Sequence, residues 1–394
     1  MKKIILLIPI IFIFCGCTDY KELNNIAIVT GLAIDLEGDD YKVSTLISNS
    51  KKANESAKEG DAGTVLYDGK GESISMAFKK IDNRIPKQIY LGHLAVVIVS
   101  EKVAKKGLDD ISDYLFRSPE TTKRFYLIMT REDEKASDVL KIISPLESFQ
   151  SNNIKLNIET ANNKSSISDN MTYSRFIESY LKKGEEPYLP TIKIYGDPEK
   201  GSSTKSLESV ELKSFVGLKG LALFKGAKFL DYASDNESRG INIANGSTNE
   251  MIVETKCNDG YAVTAISSLK VKKKVKFKNN KPVIYLNIKA QGDLQEVTCK
   301  INLYDEKNIK KIKDKIENKM VYLVEKGIKK AKDNETDIFG FGNLIYKKNP
   351  KYFNSIDDWN KEFSNLDIKI NVNVSIKNKG SIKQSIKVAK YEES

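Results

Sequence analysis

Apolar residues along this chain change period several times, from two to nearly four and back. "NIAIVTGLAID" and "YKVSTLIS" alternate in the manner of strands. Ile74, Ala77, Phe78, Ile81 and Ile85 then fall on one face of a helix. "QIYLGHLAVVIVS" is apolar enough to be a strand buried on both sides. Leu108, Ile111 and Leu115 predict another helix, "RFYLIMT" another strand, and Ala136, Val139, Leu140 and Ile143 a third helix. The first part of the chain therefore reads as a mixed sheet covered by helices.

The polar stretch "QSNNIKLNIETANNKSSISDN" suits a linker or a small meander, and Phe176, Ile177, Tyr180 and Leu181 suggest a short helix. "EEPYLPTIKIYGDPEKGSSTKS" concentrates prolines and glycines, so a domain junction is expected near residue 205. Beyond it, "SFVGLKGLALFKGAKFLDYA" reads as two strands around a Lys-Gly turn. "VTAISSLKVKKKVKF" and "KPVIYLNIKAQGDL" flank "KNNK" as a hairpin would. Apolar residues from Ile309 to Ala331 recur every three to four positions, which predicts the longest helix of the chain. A short helix bearing Trp359 and the alternating strand "LDIKINVNVSI" follow. The expected fold class is α+β and multidomain, with mixed and antiparallel sheets flanked by helices. The expected division is a signal segment at 1–16, an N-terminal α+β region at 17–205 and a C-terminal α+β domain at 206–394. The N-terminal region is divisible at about residue 145 into subdomains 17–145 and 146–205.

The N-terminus fixes the compartment. Lys2 and Lys3 precede an apolar run from Ile4 to Phe14, broken only by Pro9. As a helix this run spans about 16 Å, short of the ~30 Å hydrocarbon core, so it fits a secretory signal peptide and not a spanning helix. Gly16 is small and Phe14 large, so cleavage is expected after Gly16. "FCGC" resembles a bacterial lipobox, with Phe14 where leucine is usual. The resemblance implies a diacylglycerol thioether on Cys17, with palmitate-type chains holding an otherwise water-soluble ectodomain to a membrane. No other stretch approaches 18 apolar residues.

Charge adds less. The net charge of +11 becomes +9 once Lys2 and Lys3 are removed, and the excess is almost all lysine, since only six arginines occur. A basic body near anionic lipid gains from the surface potential. Nucleic acid is not the expected partner, because the lysines are scattered among acidic residues with no arginine cluster. A composition biased toward Lys, Asn and Ile accounts for the same excess.

Candidate chemistry is sparse. His93, the single histidine, sits within the apolar strand, where a partly buried structural role is expected; there is no HExxH, CxxC or G-x-S-x-G around it. "FGFGNL" follows a helix and lacks a P-loop lysine, so its glycines are expected to turn the chain at that helix's C-terminus, with Phe339 and Phe341 in the core. Cys257 and Cys299 lie 42 residues apart; an extracytoplasmic bridge would contribute about 4 kcal/mol, but unpaired, half-buried thiols are the expectation. "LKVKKKVKFKNNK" is expected to present one solvated face whose lysines discourage aggregation, the other possibility being a membrane- or partner-facing strip. Trp359 is expected to pack on Phe363. No catalytic, cofactor or metal-binding residue is expected.

"GCTDYKELNNIAIVTGLAID" resembles the mature start of the C-subunit lipoproteins of GerA-type spore germination receptors. Cys17, Asp19, Glu22, Leu23, Ala27, Val29, Gly31, Ala33, Ile34 and Asp35 fill the pattern, and Thr18 replaces a frequent tryptophan. "GHLAVVIVSEKVAKKGLDDISDYLFRSPETTKRFYLIMT", with Arg117 and Glu120, is similar to the family's strand–helix–strand unit. "EEPYLPTIKI", "GLALFKGAKFLDYASDNESRGINIANG" and "DIFGFGNLIYKKNPKYFNSIDDW" resemble later landmarks in the right order. The resemblance implies a lipoprotein on the outer face of the spore inner membrane. It would be a non-catalytic subunit of a nutrient receptor, beside a transporter-like subunit and a second membrane-embedded one. Two other classes predict different sites: a solute-binding lipoprotein needs a deep interdomain cleft, and a hydrolase needs His93 or a carboxylate pair in a pocket.

Overall fold

A computed structural model describes residues 25–48, 63–164, 166–257 and 259–378. Cys17, the cleavage position and residues 49–62 lie outside the described residues.

The chain opens with β1 (Ile26–Glu37), β2 (Asp40–Ser48) and β3 (Thr64–Gly71), then α1 (Ile74–Asp82), β4 (Gln88–Tyr90) and β5 (Val96–Val99). Next come α2 (Glu101–Lys106), α3 (Asp109–Arg117), β6 (Tyr126–Thr130), α4 (Ala136–Lys141), α5 (Gln150–Lys164) and α6 (Tyr173–Leu181). β7 (Tyr188–Gly196), the short α7 (Pro198–Gly201), β8 (Ser214–Lys225) and β9 (Lys228–Ala233) follow. These strands form a nine-stranded sheet in the order β3-β2-β1-β5-β6-β7-β8-β9, with β4 paired to the start of β1. Its centre, β1-β5-β6-β7, is parallel, and both flanks are antiparallel. The boundary expected near residue 205 falls inside this sheet, because β7 and β8 on its two sides are hydrogen-bonded neighbours.

Alternation decides which residue faces which helix layer. Leu32, Ile34, Val97 and Val99 join one apolar cluster with α1, α2, α3 and α6, while Ala33, Val96 and Ile98 join another with α4 and α5. Helices on both faces explain why β5 is buried throughout. The polar stretch expected to be a linker or meander is instead the helix α5. Ile154 and Ile158, one turn apart, are fully buried, and the rest of the helix is polar enough to hide the signal. The single strand expected at 88–100 is two, β4 and β5. His93 lies exposed in the turn between them, its ring 5.7 Å from that of Tyr90.

The second sheet is built from β10 (Met251–Cys257), β11 (Gly260–Lys278), β12 (Lys281–Val297) and β13 (Asp367–Ile376), in that order. The β11–β12 turn has positive φ at both Asn279 (49°) and Asn280 (59°), the conformation that suits a tight hairpin and that asparagine tolerates. α8 (Asp235–Asn245) precedes this sheet. Its boundaries are written in the sequence: Ser234 and Glu237 form a reciprocal capping box, and Gly246 ends it in the left-handed region. α9 (Glu306–Asp333) is the long predicted helix. It buries Ile312, Ile316, Met320, Leu323 and Ile328. α10 (Phe341–Lys348), α11 (Pro350–Asn354) and α12 (Trp359–Ser364) cover the remaining end. The α8–α9 crossing is exceptionally close: a Cβ on Gly240 would stand 1.8 Å from the Leu323 carbonyl oxygen, and one on Gly327 would stand 2.6 Å from the Ile241 nitrogen. One apolar cluster runs from Ala27 to Val374, joining the two sheets through α8.

Cys257 and Cys299 form a disulfide, against the expectation of free thiols, because β11 pairs with both β10 and β12 and so sets their Cα atoms 6.1 Å apart. Cys257→Ser with Cys299→Ser should lower the unfolding free energy by about 2–4 kcal/mol in urea titrations. A change below about 0.5 kcal/mol would show that the bridge adds nothing.

Candidate functional site

The three later sequence landmarks meet at one place. After α9 the chain turns at Glu335 (φ +48°), and Thr336 donates to the Phe224 carbonyl (2.6 Å). Asp337 is thereby set in the interior at the start of α10. Its Oδ1 accepts from the Phe339 and Phe341 amides (both 3.2 Å), and its Oδ2 from the Gly342 amide (2.7 Å) and the Trp359 indole (2.9 Å). The N-cap position itself is Gly340 (φ +67°), which has no side chain to cap with, so Asp337 serves instead. The glycines thus open α10 and do not close α9 as expected, and the amides that could cradle a phosphate are filled by the chain's own carboxylate. Burial pushes the Asp337 carboxyl up to about 6, against the pull of the four donors. Trp359 packs on Phe353 (5.3 Å between rings); Phe363, its expected partner, is buried near Phe339 and Phe341.

Lys273 reaches this point from the covered face of β11. Its buried ammonium donates to Asn245 Oδ1 and to the Phe339 carbonyl, both at 2.8 Å. Burial lowers its pKa to about 8, with the Asp337 charge working the other way. At neutral pH the site therefore holds a carboxylate and an ammonium. Asn245 Nδ2 donates to the Ile338 carbonyl (3.1 Å) and to the Tyr188 hydroxyl (3.4 Å). Tyr188 donates to Asp169, whose two oxygens are forked by Arg175 at 3.1 and 3.2 Å. Burial, then the Asp169 charge, raises the Tyr188 phenol far above its ordinary range. Glu186 adds a second tie: its carboxylate accepts from the Gly226 amide (2.6 Å) and Asn360 Nδ2 (2.8 Å), while its own amide donates to the Asp337 carbonyl (2.9 Å). Gly184 and Gly342 let two backbones touch, since a Cβ on Gly342 would lie 2.7 Å from Gly184 Cα and 2.4 Å from Trp359 Nε1.

This is the chemistry of a clamp. Most of the named donors and acceptors are spent on one another, while Asn360 Oδ1 is buried without a hydrogen-bond partner. Two clefts lie elsewhere. One of about 730 Å³ separates α1 from α3, where Arg117 is held by Asp113 (2.8 Å) and Tyr41 by Asp110 (2.8 Å). Another of about 450 Å³ lies between α9 and β13. Neither joins the two sheets. Among the described residues, no three His, Cys, Asp or Glu side chains are grouped to hold a metal, and no helix is long and apolar enough to cross a membrane. Residues 19–194 match the family model of the spore germination protein N-terminal domain, and residues 219–380 match that of the spore germination B3/GerAC-like C-terminal domain.

The chain belongs to the GerAC family of spore germination proteins.

It is 25% identical to spore germination protein KC of Bacillus subtilis over 372 residues, covering 91% of this chain and 90% of the relative. It is 22% identical to spore germination protein B3 of the same organism, covering 93% and 95%. The crystal structure of the GerBC protein superposes with a TM-score of 0.53 at 19% identity, over 91% of this chain and 99% of that one, and so shares the fold. The buried clamp crosses between the two GerAC regions: Asp169, Arg175 and Tyr188 belong to the first, and Asn245, Lys273 and Asp337 to the second. The sequence alone does not reveal it. Its one local signal is an acidic residue three positions before a glycine that opens a helix, in an otherwise apolar setting.

Proposed function

We propose that this protein is the lipid-anchored, non-catalytic subunit of a nutrient germinant receptor, on the outer face of the spore inner membrane. There it supports assembly of the receptor with its transporter-like and second membrane-embedded subunits, and through assembly the germination response. The observation that carries this proposal is the convergence of three family landmarks on a hydrogen-bonded junction that ties the two sheets into one scaffold. The GerAC match over both regions supports the same reading. The lipobox-like "FCGC" supplies the tether at Cys17, and two or three acyl chains hold firmly where one holds marginally.

Spores carrying Cys17→Ala should lose acyl labelling of this subunit, and the protein should leave the inner-membrane fraction. The nutrient response should fall with it, while germination triggered independently of nutrients stays normal. Full retention in the membrane with an unmodified N-terminus would overturn the anchor; a normal response in a strain deleted for the whole gene would overturn the receptor role.

A further inference from the structure

The second sheet has one covered face and one bare face. α8, α9 and α10 pack against the side carrying Ile284, Leu286, Ile288, Val372 and Val374, while Lys289, Lys369, Asn371 and Asn373 on the other side are exposed. On that bare side every second residue of β11 from Lys270 to Lys278 is an exposed lysine. The register continues the pattern across the sheet. Lys270 stands opposite Lys289, which stands opposite Asn373; Lys272 faces Asn287, which faces Asn371; Lys274 faces Tyr285, which faces Lys369. These three rows contain no carboxylate; the next, Lys276 opposite Val283 and Val283 opposite Asp367, ends on one.

Like charges placed directly opposite on neighbouring strands repel. Elsewhere this protein answers its lysines with acids, as in Lys329 with Asp333 and Lys313 with Glu317 on α9. Among the described residues, no carboxylate forms an ion pair with any lysine of the bare face. Protection of an open strand edge accounts for part of the pattern, since β10 pairs with β11 only as far as Ile266. It does not account for Lys289, which sits on the interior strand β12.

The chemistry of the partner follows from the shape and the residue type. The lysine row spans about 27 Å at the ordinary rise of a strand, along one face of a sheet. Lysine offers a point charge on a flexible stem, without the fixed fork by which arginine reads one carboxylate or phosphate. Tyr285, the aromatic of these rows, has the ammonium groups of Lys276 and Lys278 over its ring at 5.2 and 6.0 Å, so it is not open for a base to stack on. A plane of mobile anionic headgroups fits such a surface better than a shaped protein or nucleic-acid ligand does. We infer that this face of the second sheet lies flat on anionic phospholipid headgroups. Each ammonium held within about a Debye length (about 8 Å) of an anionic leaflet contributes about fivefold in binding. The contact is separate from the Cys17 tether.

The test uses the purified native protein on phosphatidylcholine vesicles with and without phosphatidylglycerol. Surface lysines are acetylated briefly and each site is quantified by mass spectrometry. Acetylation of Lys272, Lys274 and Lys289 should slow at least about fivefold on the anionic vesicles alone. High salt should restore it, and Lys329 should be unaffected throughout. Lys270→Glu with Lys272→Glu and Lys274→Glu should abolish the extra protection of Lys289. Equal acetylation on both kinds of vesicle would overturn the inference. So would protection that requires an added acidic protein or nucleic acid and is absent on anionic lipid. Both vesicles present the same N-terminus to lipid, so the comparison between them is independent of whether the anchor proposal holds.

Discussion

Gly240→Leu should cost more than about 5 kcal/mol and leave little soluble protein, because no rotamer escapes the contact. The Cβ alone would lie 1.8 Å from a backbone oxygen of α9, and a helix backbone cannot retreat as a flexible side chain can. α8 would have to lift off α9, and α8 is also the element that joins the apolar faces of the two sheets. Gly240→Ala should already be severe. Gly38→Ala is the control: its Cβ would meet nothing within 4 Å, so it bears only the strain of φ +67°, about 1 kcal/mol. Chemical denaturation of the three variants measures the difference, and equal midpoints for Gly240→Ala and Gly38→Ala would refute the close crossing.

Asp337→Ala should destabilise by about 5 kcal/mol, since it strands three backbone amides, the Trp359 indole and the buried Lys273 charge together. Asp337→Asn keeps the shape but turns an amide toward donors, so it should fall between wild type and alanine. The pH dependence has a definite sign. The carboxyl titrates at about 6 when folded and at its ordinary 3.8 when unfolded, so between these values the folded state binds more protons. Its contribution to stability is therefore greatest below about pH 4 and declines as pH rises to about 6. The gap between wild type and Asp337→Asn should be up to about 3 kcal/mol wider at pH 4 than at pH 7. A gap that does not change, or that widens with pH, would contradict the burial of this group.

Local patterns carry most of the architecture. The "KNNK" hairpin, the long helix from its apolar recurrence, and the two strands around Lys225-Gly226 all appear where the sequence places them. Expectation and structure part where tertiary burial outweighs composition. α5 shows too few apolar residues to announce itself, and Gly92 and His93 interrupt what reads as one strand. The cysteine pairing is undecidable from sequence because 42 residues of intervening chain set the distance. The clamp is invisible for the same reason on a larger scale. Asn343 bonds the carbonyl of Lys183, 160 residues away, and Glu186 bonds Asn360, 174 residues away. Short motifs can be seen as landmarks, but nothing local says that landmarks so far apart lock into each other.

The filled junction has a mechanical consequence. Relative motion is the default for two bodies joined by a small polar interface, but here the seam is an apolar core stitched by hydrogen bonds from Asn245 to Tyr188 and from Gly226 and Asn360 to Glu186. A displacement imposed at one sheet must therefore strain this shared core before the two sheets can move apart.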